Sequence, residues 1–519
     1  MKNNQIKSVL VVGGGSAGWM AAAALANMLR EGVSIDLVES EEIGTVGVGE
    51  ATIPALKKFN NQLGLNQREF VRATGASFKL GIDFVNWGRQ GHRYFHPFGQ
   101  IGFNFDLIPI EQYWFKLWLE GNAPPLDDLS MAWGAASRGR FASLPRRPAA
   151  GAPRRPNYDY AYHFDAGRYA AHLREYAEAL GVTRHEGKIV DVKQDGKSGL
   201  VRSVKLTDGR ELKADLFIDC SGFRSLLIEG AMKSKFEDWS NFLPCDRALA
   251  VPTERSPDGM TPYTRSTAHE AGWQWRIPLQ HRTGNGHVFV SSLMSEDEAA
   301  KILLDHVDTP TLAEPRLLKF KAGFRDPWVG NVVALGLAAG FMEPLESTSI
   351  HLVQTSINRL LTLFPTRGFD PKTIAEFNRL TRFEWELIRD FLVLHYCANE
   401  RTDSELWRHC ATMELPPSLQ EKIDYFRATG RMLVIPSELF QKSSWLAVFL
   451  GQFIEPTAYN PIADSRPSAN AKARIEAIVN NIARTAEAMP LHEQFIERNC
   501  RSPLDVEKRE ERAEEEEPV

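Results

Sequence analysis

Three groups of residues in this 519-residue chain have types and spacing that could do chemistry. The first, Gly13-Gly14-Gly15-Ser16-Ala17-Gly18, fits the pattern G-x-G-x-x-G. In such a turn Gly13 permits the tight bend, Gly15 lets a pyrophosphate approach the backbone, Gly18 allows close helix packing, and the helix start presents oriented N–H groups. Glu39 follows about 20 residues later, where a carboxylate can hold ribose hydroxyls. The second group is Phe78-Lys79-Leu80-Gly81, one cation in an apolar run, followed by Phe84-Val85-Asn86-Trp87 and Tyr94-Phe95-His96-Pro97-Phe98-Gly99. By residue type alone Lys79 reads as a solvated lysine. The third, Phe341-Met342-Glu343-Pro344-Leu345-Glu346-Ser347-Thr348-Ser349-Ile350, sets two carboxylates around a proline, with Glu343 reading as a cap or ion-pair partner. A turn that opens a helix can offer N–H groups to an anion.

These groups need elements to hold them. Ser8 to Glu39 predicts strand, glycine turn, helix and second strand, a βαβ start. The stretch Ser8 to Leu29 has no charged residue and is long enough to cross a bilayer, but its order of β-branched run, glycines and alanine-rich run fits strand, turn and helix better. Trp273 and Trp275 alternate within Gly272-Trp273-Gln274-Trp275-Arg276-Ile277-Pro278, as rings packing one face of a strand would. Ile189–Val192, Val201–Leu206 and Ala214–Ile218, punctuated by two Asp-Gly pairs, predict a meander. Arg138 to Pro156 predicts an exposed loop, Lys372 to about Arg427 and Ala471 to Met489 predict helices, and Lys508 to Glu517 predicts a frayed charged tail. No internal repeat is evident.

Composition narrows the class. A hydrophobic content of 43%, 24% charged residues and a net charge of -5 describe a globular protein with small-molecule rather than nucleic-acid partners, and no membrane span. Five scattered cysteines without a Cys-x-x-Cys predict neither disulfides nor a thiolate metal site, and the remaining histidines have no zinc spacing; no metal is expected, and a reducing cytoplasm fits.

Taken in order, the glycine turn, Phe78-Lys79-Leu80-Gly81, Trp273-x-Trp275-x-Ile277-Pro278 and Phe341–Ile350 resemble the flavin-dependent tryptophan halogenase family, from residue 8 to about 460. Asp219-Cys220-Ser221-Gly222 and the run Val332 to Gly340 resemble further flavin-contact segments of monooxygenase-like flavoproteins, with Gly336-Leu337 where Gly-Asp is usual. The implied fold is α/β: a flavin monooxygenase-like, Rossmann-type FAD-binding domain with an added sheet, and a mainly helical C-terminal substrate region. The implied division is 1–370 for FAD binding and catalysis, 371–505 for the helical cover and 506–519 for the tail.

The resemblance also implies roles. FAD, supplied reduced by a separate flavin reductase because no second glycine fingerprint serves a nicotinamide, would meet Gly13, Gly15, Ser16, Ala17, Gly18, Glu39, Ala51, Val190, Leu337 and Ile350. Chloride or bromide would sit on the backbone N–H groups of Thr348 and Ser349, the latter replacing the family's usual glycine. Lys79 would bind hypohalous acid or form a haloamine with it, and Glu346 would align Lys79, stabilise the cationic ring and take its proton. His96 and Phe98 would stack on an indole, with Trp445 as a further wall, while Trp273 and Trp275 would keep substrate and flavin apart. Leu433 to Ile454 lacks the tyrosines and glutamate that clamp the amino-acid end of tryptophan. A simpler indole, a larger indole-containing molecule or another electron-rich aromatic is therefore the expected substrate. The alternatives are an aromatic flavin monooxygenase, a non-catalytic flavin-binding protein, or action on a carrier-bound substrate; oligomeric state stays open, with a homodimer one option.

Overall fold

The computed structural model describes residues 4–29, 32–43, 49–105, 107–144, 157–257 and 259–503. They form two compact units, each built from three separate stretches of chain.

The first unit comprises Met1–Gly75, Phe164–Asp246 and Lys319–Glu386. Its centre is the strand Ser8–Val12, which pairs in parallel with Ser34–Glu39 on one side and Leu216–Asp219 on the other. Val332–Ala334 extends the parallel sheet beyond Leu216–Asp219, and Thr183–Glu186 extends it beyond Ser34–Glu39. Val9 to Val12 are buried on both sides of the strand, as the continuous β-branched run requires in a parallel sheet covered on both faces. Helix Ser16–Met28 follows the glycine turn, buries Gly18 to Ala26 and packs against helix Ala166–Ala179, with the small residues Ala21 to Ala24 among those buried.

One expected pairing changes. The third strand of the small antiparallel meander is Glu211–Lys213, beside Val201–Leu206 and Ile189–Gln194. The run expected there ends as Leu216–Asp219, which joins the parallel sheet instead. Leu216, Phe217 and Ile218 are apolar at consecutive positions, so a strand with only one buried face could not cover them.

The second unit comprises Ala76–His163, Arg247–Leu318 and Leu387–Val519. In a seven-stranded sheet with Arg316–Lys319 at one edge, the other six strands lie side by side in the order Arg247–Thr253, Thr283–Phe289, Gly272–Pro278, Thr264–His269, Gly81–Val85 and Arg93–Pro97. Neighbours among these six are antiparallel except Thr264–His269 with Gly81–Val85. The strand Ser77–Lys79 pairs separately and antiparallel with Ala161–Asp165, setting Lys79 opposite Ala161. Its helices include Ile110–Leu119, Met131–Ala136, Glu296–Asp305, Glu405–Thr412, Pro417–Thr429, Lys442–Gly451, Ser468–Glu487 and His492–Asn499.

The stretch expected to be an exposed loop is partly packed: Phe141 is wholly buried and stacks on Phe78 with centroids 4.1 Å apart. Residues 145–156 of that stretch and the charged tail lie outside the described residues. Among the described residues, no helix is long and apolar enough to cross a membrane and no group of three or more His/Cys/Asp/Glu residues could hold a metal ion.

Candidate active site

In the first unit, the glycine turn has the shape its sequence demands. Gly13 has φ +110°, and a Cβ there would fall 2.2 Å from the Cys220 carbonyl oxygen. A Cβ on Gly14 would overlap Glu39, 1.5 Å from Oε2 and 2.7 Å from Cβ, so this second glycine exists to admit the acidic side chain. Gly15 has open space beside it and caps helix Ser16–Met28 with no side-chain acceptor and no acidic residue in the first turn. The exposed partial positive charge of that helix end, next to room for a ligand, fits the pyrophosphate of FAD. Glu39 Oε1 accepts from Arg184 at 2.5 Å, and Arg184 is held in turn by Glu186 and Glu41, which leaves Oε2 turned to the glycines.

Other expected cofactor contacts lie in the same unit. A Cβ on Gly336 would come 3.1 Å from Ala17 Cβ and 3.5 Å from Val353, so the turn carrying Leu337 is wedged between the glycine-turn helix and helix Ser349–Thr362. Ala51 is buried, whereas Val190 is exposed on the meander strand Ile189–Gln194. Beside Ala51, half-buried Glu50 has its carboxyl pushed up to about 7, first by removal from water and then by the Asp165 charge. Nothing in the local pattern singles out Glu50; the shift follows from its enclosure beside Asp165.

Glu346 ends the short 3₁₀ turn Pro344–Glu346 and is fully buried. Ser347 then takes a left-handed conformation, φ +60°, which redirects the chain into helix Ser349–Thr362 with Thr348 as N-cap. Helix geometry leaves the first-turn N–H groups, from Ser349 to His351, without intrahelical acceptors before Leu352 donates to the Thr348 carbonyl at 3.0 Å, and no side chain caps them and no acidic residue lies in that turn. Ile350, one position after Ser349, is buried. A buried carboxylate and an anion-seeking helix end are thus three residues apart.

The second unit holds Lys79, which is fully buried. Strand alternation explains its setting: Phe78 points into a cluster of Phe141, Tyr160, Tyr162 and Phe495, while Ser77 and Lys79 face the other way. The Lys79 Nζ stands 5.1 Å from the Phe98 ring centroid, and Phe98 meets His96 edge to face at 6.3 Å. A row of rings continues from His96 to Phe391 and Phe440, stacked on each other at 3.9 Å, and Phe391 meets Trp445 at 5.0 Å. Phe391 and Phe440 were not anticipated; Phe391 belongs to a helix and Phe440 to a loop, and only packing aligns them.

Two histidines hold the two residues that precede Lys79, one by a side chain and one by the backbone. Ser77 Oγ donates to the Pro278 carbonyl at 2.6 Å, so at 3.1 Å it must accept from His163 Nδ1, whose Nε2 then accepts from Thr264 Oγ1 at 2.9 Å. His163 is therefore the neutral Nδ1–H tautomer, and burial followed by the Lys79 charge drives its pKa well below the ordinary value. The same logic applies to His492, which donates from Nδ1 to the Met260 carbonyl at 2.7 Å and accepts the Phe78 N–H at Nε2, 3.0 Å. Pro278 thereby ties the Trp-x-Trp strand to the lysine strand.

Trp273 and Trp275 point the same way, centroids 6.0 Å apart, and both are buried. Trp273 packs near Trp87 at 6.1 Å, and Trp275 lies over Gly286 on the neighbouring strand, where a Cβ would fall 2.1 Å from the ring. Trp87 in turn meets Tyr396 and Trp407, and Arg401 stacks on Trp407 while pairing with Asp403.

A family profile described as tryptophan halogenase matches residues 8–468. Tryptophan 6-halogenase ThaL of Streptomyces albogriseolus is 37% identical over 451 residues, 82% of this chain and 83% of that protein. Among solved structures, Xcc4156, a flavin-dependent halogenase from Xanthomonas campestris, matches with a TM-score of 0.92 and 44% identity, covering 96% of this chain and 99% of that one. BrvH, a flavin-dependent halogenase from Brevundimonas sp. BAL3, gives 0.91 and 43%, covering 95% and 99%.

Proposed function

This chain belongs to the tryptophan halogenase family, and from that membership we infer that it is an FAD-dependent halogenase acting on an electron-rich aromatic such as an indole. FAD, delivered reduced by a separate flavin reductase, supplies the electrons with which oxygen oxidises chloride or bromide to hypohalous acid. The chain's own residues do the rest. The glycine turn and Glu39 bind the dinucleotide, and the N–H groups at Thr348 and Ser349 hold the halide. Lys79 receives the oxidised halogen either by donating a hydrogen bond to hypohalous acid, which burial strengthens over what water would allow, or, as the neutral amine, by forming a haloamine with release of water. His96 and Phe98 stack on the aromatic ring, Glu346 accepts the proton lost from the substituted carbon, and Trp273 and Trp275 form a wall that keeps the organic substrate from the flavin.

The observation that carries this reading is Lys79 itself: a fully buried ammonium on a strand, against an aromatic face and with its neighbours' backbone locked. A lysine held fully out of water is rare, which marks Lys79 as a candidate reactive group. The test is an indole panel with flavin reductase, FAD and each halide, read by mass spectrometry. A halogen mass shift is expected with the native protein, and Lys79→Ala should abolish it while oxidation of reduced FAD continues. A hydroxylated product formed without halide would instead identify a monooxygenase, and joint loss of both activities in Lys79→Ala would refute a separate halogenation site.

A further inference from the structure

The short strand Ser77–Lys79 that carries the buried lysine stands at the edge of its sheet, beside Ala161–Asp165. Backbone groups on the open edge of a buried strand must find partners elsewhere. Alternate residues do so here. Gln280 Nε2 donates to the Ala76 carbonyl at 2.7 Å, His492 Nε2 accepts the Phe78 N–H at 3.0 Å, and the Pro262 carbonyl accepts the Leu80 N–H at 2.7 Å. Residues two apart on a strand present their backbone groups to the same edge, so these three bonds stand in for a missing neighbour strand.

Each of the three partners leans on the C-terminal stretch of the same unit. Gln280 also donates to the Cys500 carbonyl at 3.3 Å and accepts the Ser502 N–H at 2.8 Å. His492 opens the helix His492–Asn499. That helix holds the turn leading to Pro262 as well: His492 Nδ1 donates to the Met260 carbonyl at 2.7 Å, and Glu493 Oε1 accepts the Met260 N–H at 3.1 Å. Phe495 packs edge to face on Phe78 at 5.5 Å and on Phe141 at 4.9 Å. Gln280, His492, Cys500 and Ser502 are all buried. The match to the family profile ends at residue 468, so these holds come from chain beyond it.

We propose that the segment from His492 to Ser502 is a positioning element for Lys79, keeping the lysine strand placed so that oxidised halogen passes to the aromatic substrate and not to solvent, an inference that rests on the halogenase reading above. The segment acts through the strand. Halogen transfer needs Lys79 Nζ close to both the incoming oxidant and the ring carbon, and a displacement of about 1 Å costs up to about a hundredfold in rate. A three-residue edge strand released on one side pivots about its remaining ladder, carrying Nζ with it.

The two fates of the halogen are counted together, with FAD, flavin reductase, each halide in turn, indole and an excess of a soluble 1,3-diketone. The diketone exchanges a C–H hydrogen for the halogen of escaped hypohalous acid and releases water, so haloindole measures transfer and halodiketone measures leakage. In His492→Ala and in Phe495→Ala the haloindole rate should fall at least about tenfold while halodiketone rises, with their sum and the halide KM within about twofold of native. His492→Gln, whose amide oxygen can accept the Phe78 N–H, should recover most of the haloindole. A fall of both products together in both alanine variants, as general loss of structure would give, or an unchanged split, would overturn the proposal. If the native protein halogenates neither acceptor, the halogenase reading fails, and the hold on the strand is read separately by deuterium exchange of FAD-loaded protein. There His492→Ala should quicken exchange at the Lys79 and Leu80 amides about tenfold and leave helix Ser16–Met28 unchanged; unaltered exchange at those two amides would refute the hold.

Discussion

Protonation of a single histidine should loosen the strand that carries Lys79. His492 uses both ring nitrogens in its neutral form, accepting the Phe78 N–H and donating to the Met260 carbonyl. Burial pushes its pKa down to about 4, against roughly 6.5 in an unfolded chain. Because the folded value is the lower one, the stabilisation is complete above pH ~6.5 and drains away as pH falls toward ~4. Near pH 5.5 the unfolded chain holds about 0.9 proton more on this ring, which lowers stability by ~1.2 kcal/mol relative to pH ~7; near pH 4.5 the loss reaches ~2.4 kcal/mol. The assay is nitrogen NMR of histidine-labelled protein, with the His492 signals identified by their absence in His492→Gln. The signals should stay those of a neutral Nδ1–H ring at pH 5.5, and exchange of the Phe78 amide, corrected for its intrinsic rate, should quicken about tenfold between pH 7 and 5.5. A ring that titrates with a midpoint near ~6.5, or one protonated on Nε2, would refute both the tautomer and the lock on the lysine strand.

Three substitutions probe other parts of the site. Gly14→Ala places a methyl group on the Glu39 side chain, and FAD affinity measured by fluorescence titration should fall at least about tenfold, since Glu39 must leave the turn. Gly286→Ala drives a methyl group into the Trp275 ring and should cost ~1–3 kcal/mol, read as a lower unfolding midpoint. Ser349→Glu adds a carboxylate to the first turn of the uncapped helix Ser349–Thr362, and the halide KM should rise about tenfold, equivalent to ~1.4 kcal/mol of lost anion attraction.

How much of this was legible beforehand differs by element. The glycine turn and the strands and helix around it could be read because each depends on residues within a few positions: Gly13 must bend, Gly14 must admit Glu39, and Val9 to Val12 must be covered on both sides. The halogenase motifs marked Lys79 and Glu346 by resemblance, while residue type alone would have put Lys79 in water. The third meander strand was misassigned because Asp-Gly turns announce a reversal without saying which sheet receives the next strand.

Sequence by itself thus determined the nucleotide-binding scaffold, the family and the identities of the reactive candidates, since these are carried by short-range spacing and ordered motifs. Tertiary structure alone decided that Lys79 is dry, that Ser77 and Phe78 are held by His163 and His492, and that Trp445 is bonded to Glu438 beside Lys422. The reason is distance along the chain. Phe78 and His492 are 414 positions apart, and no periodicity of two or four residues encodes a bond that exists only after separate stretches have packed into one unit.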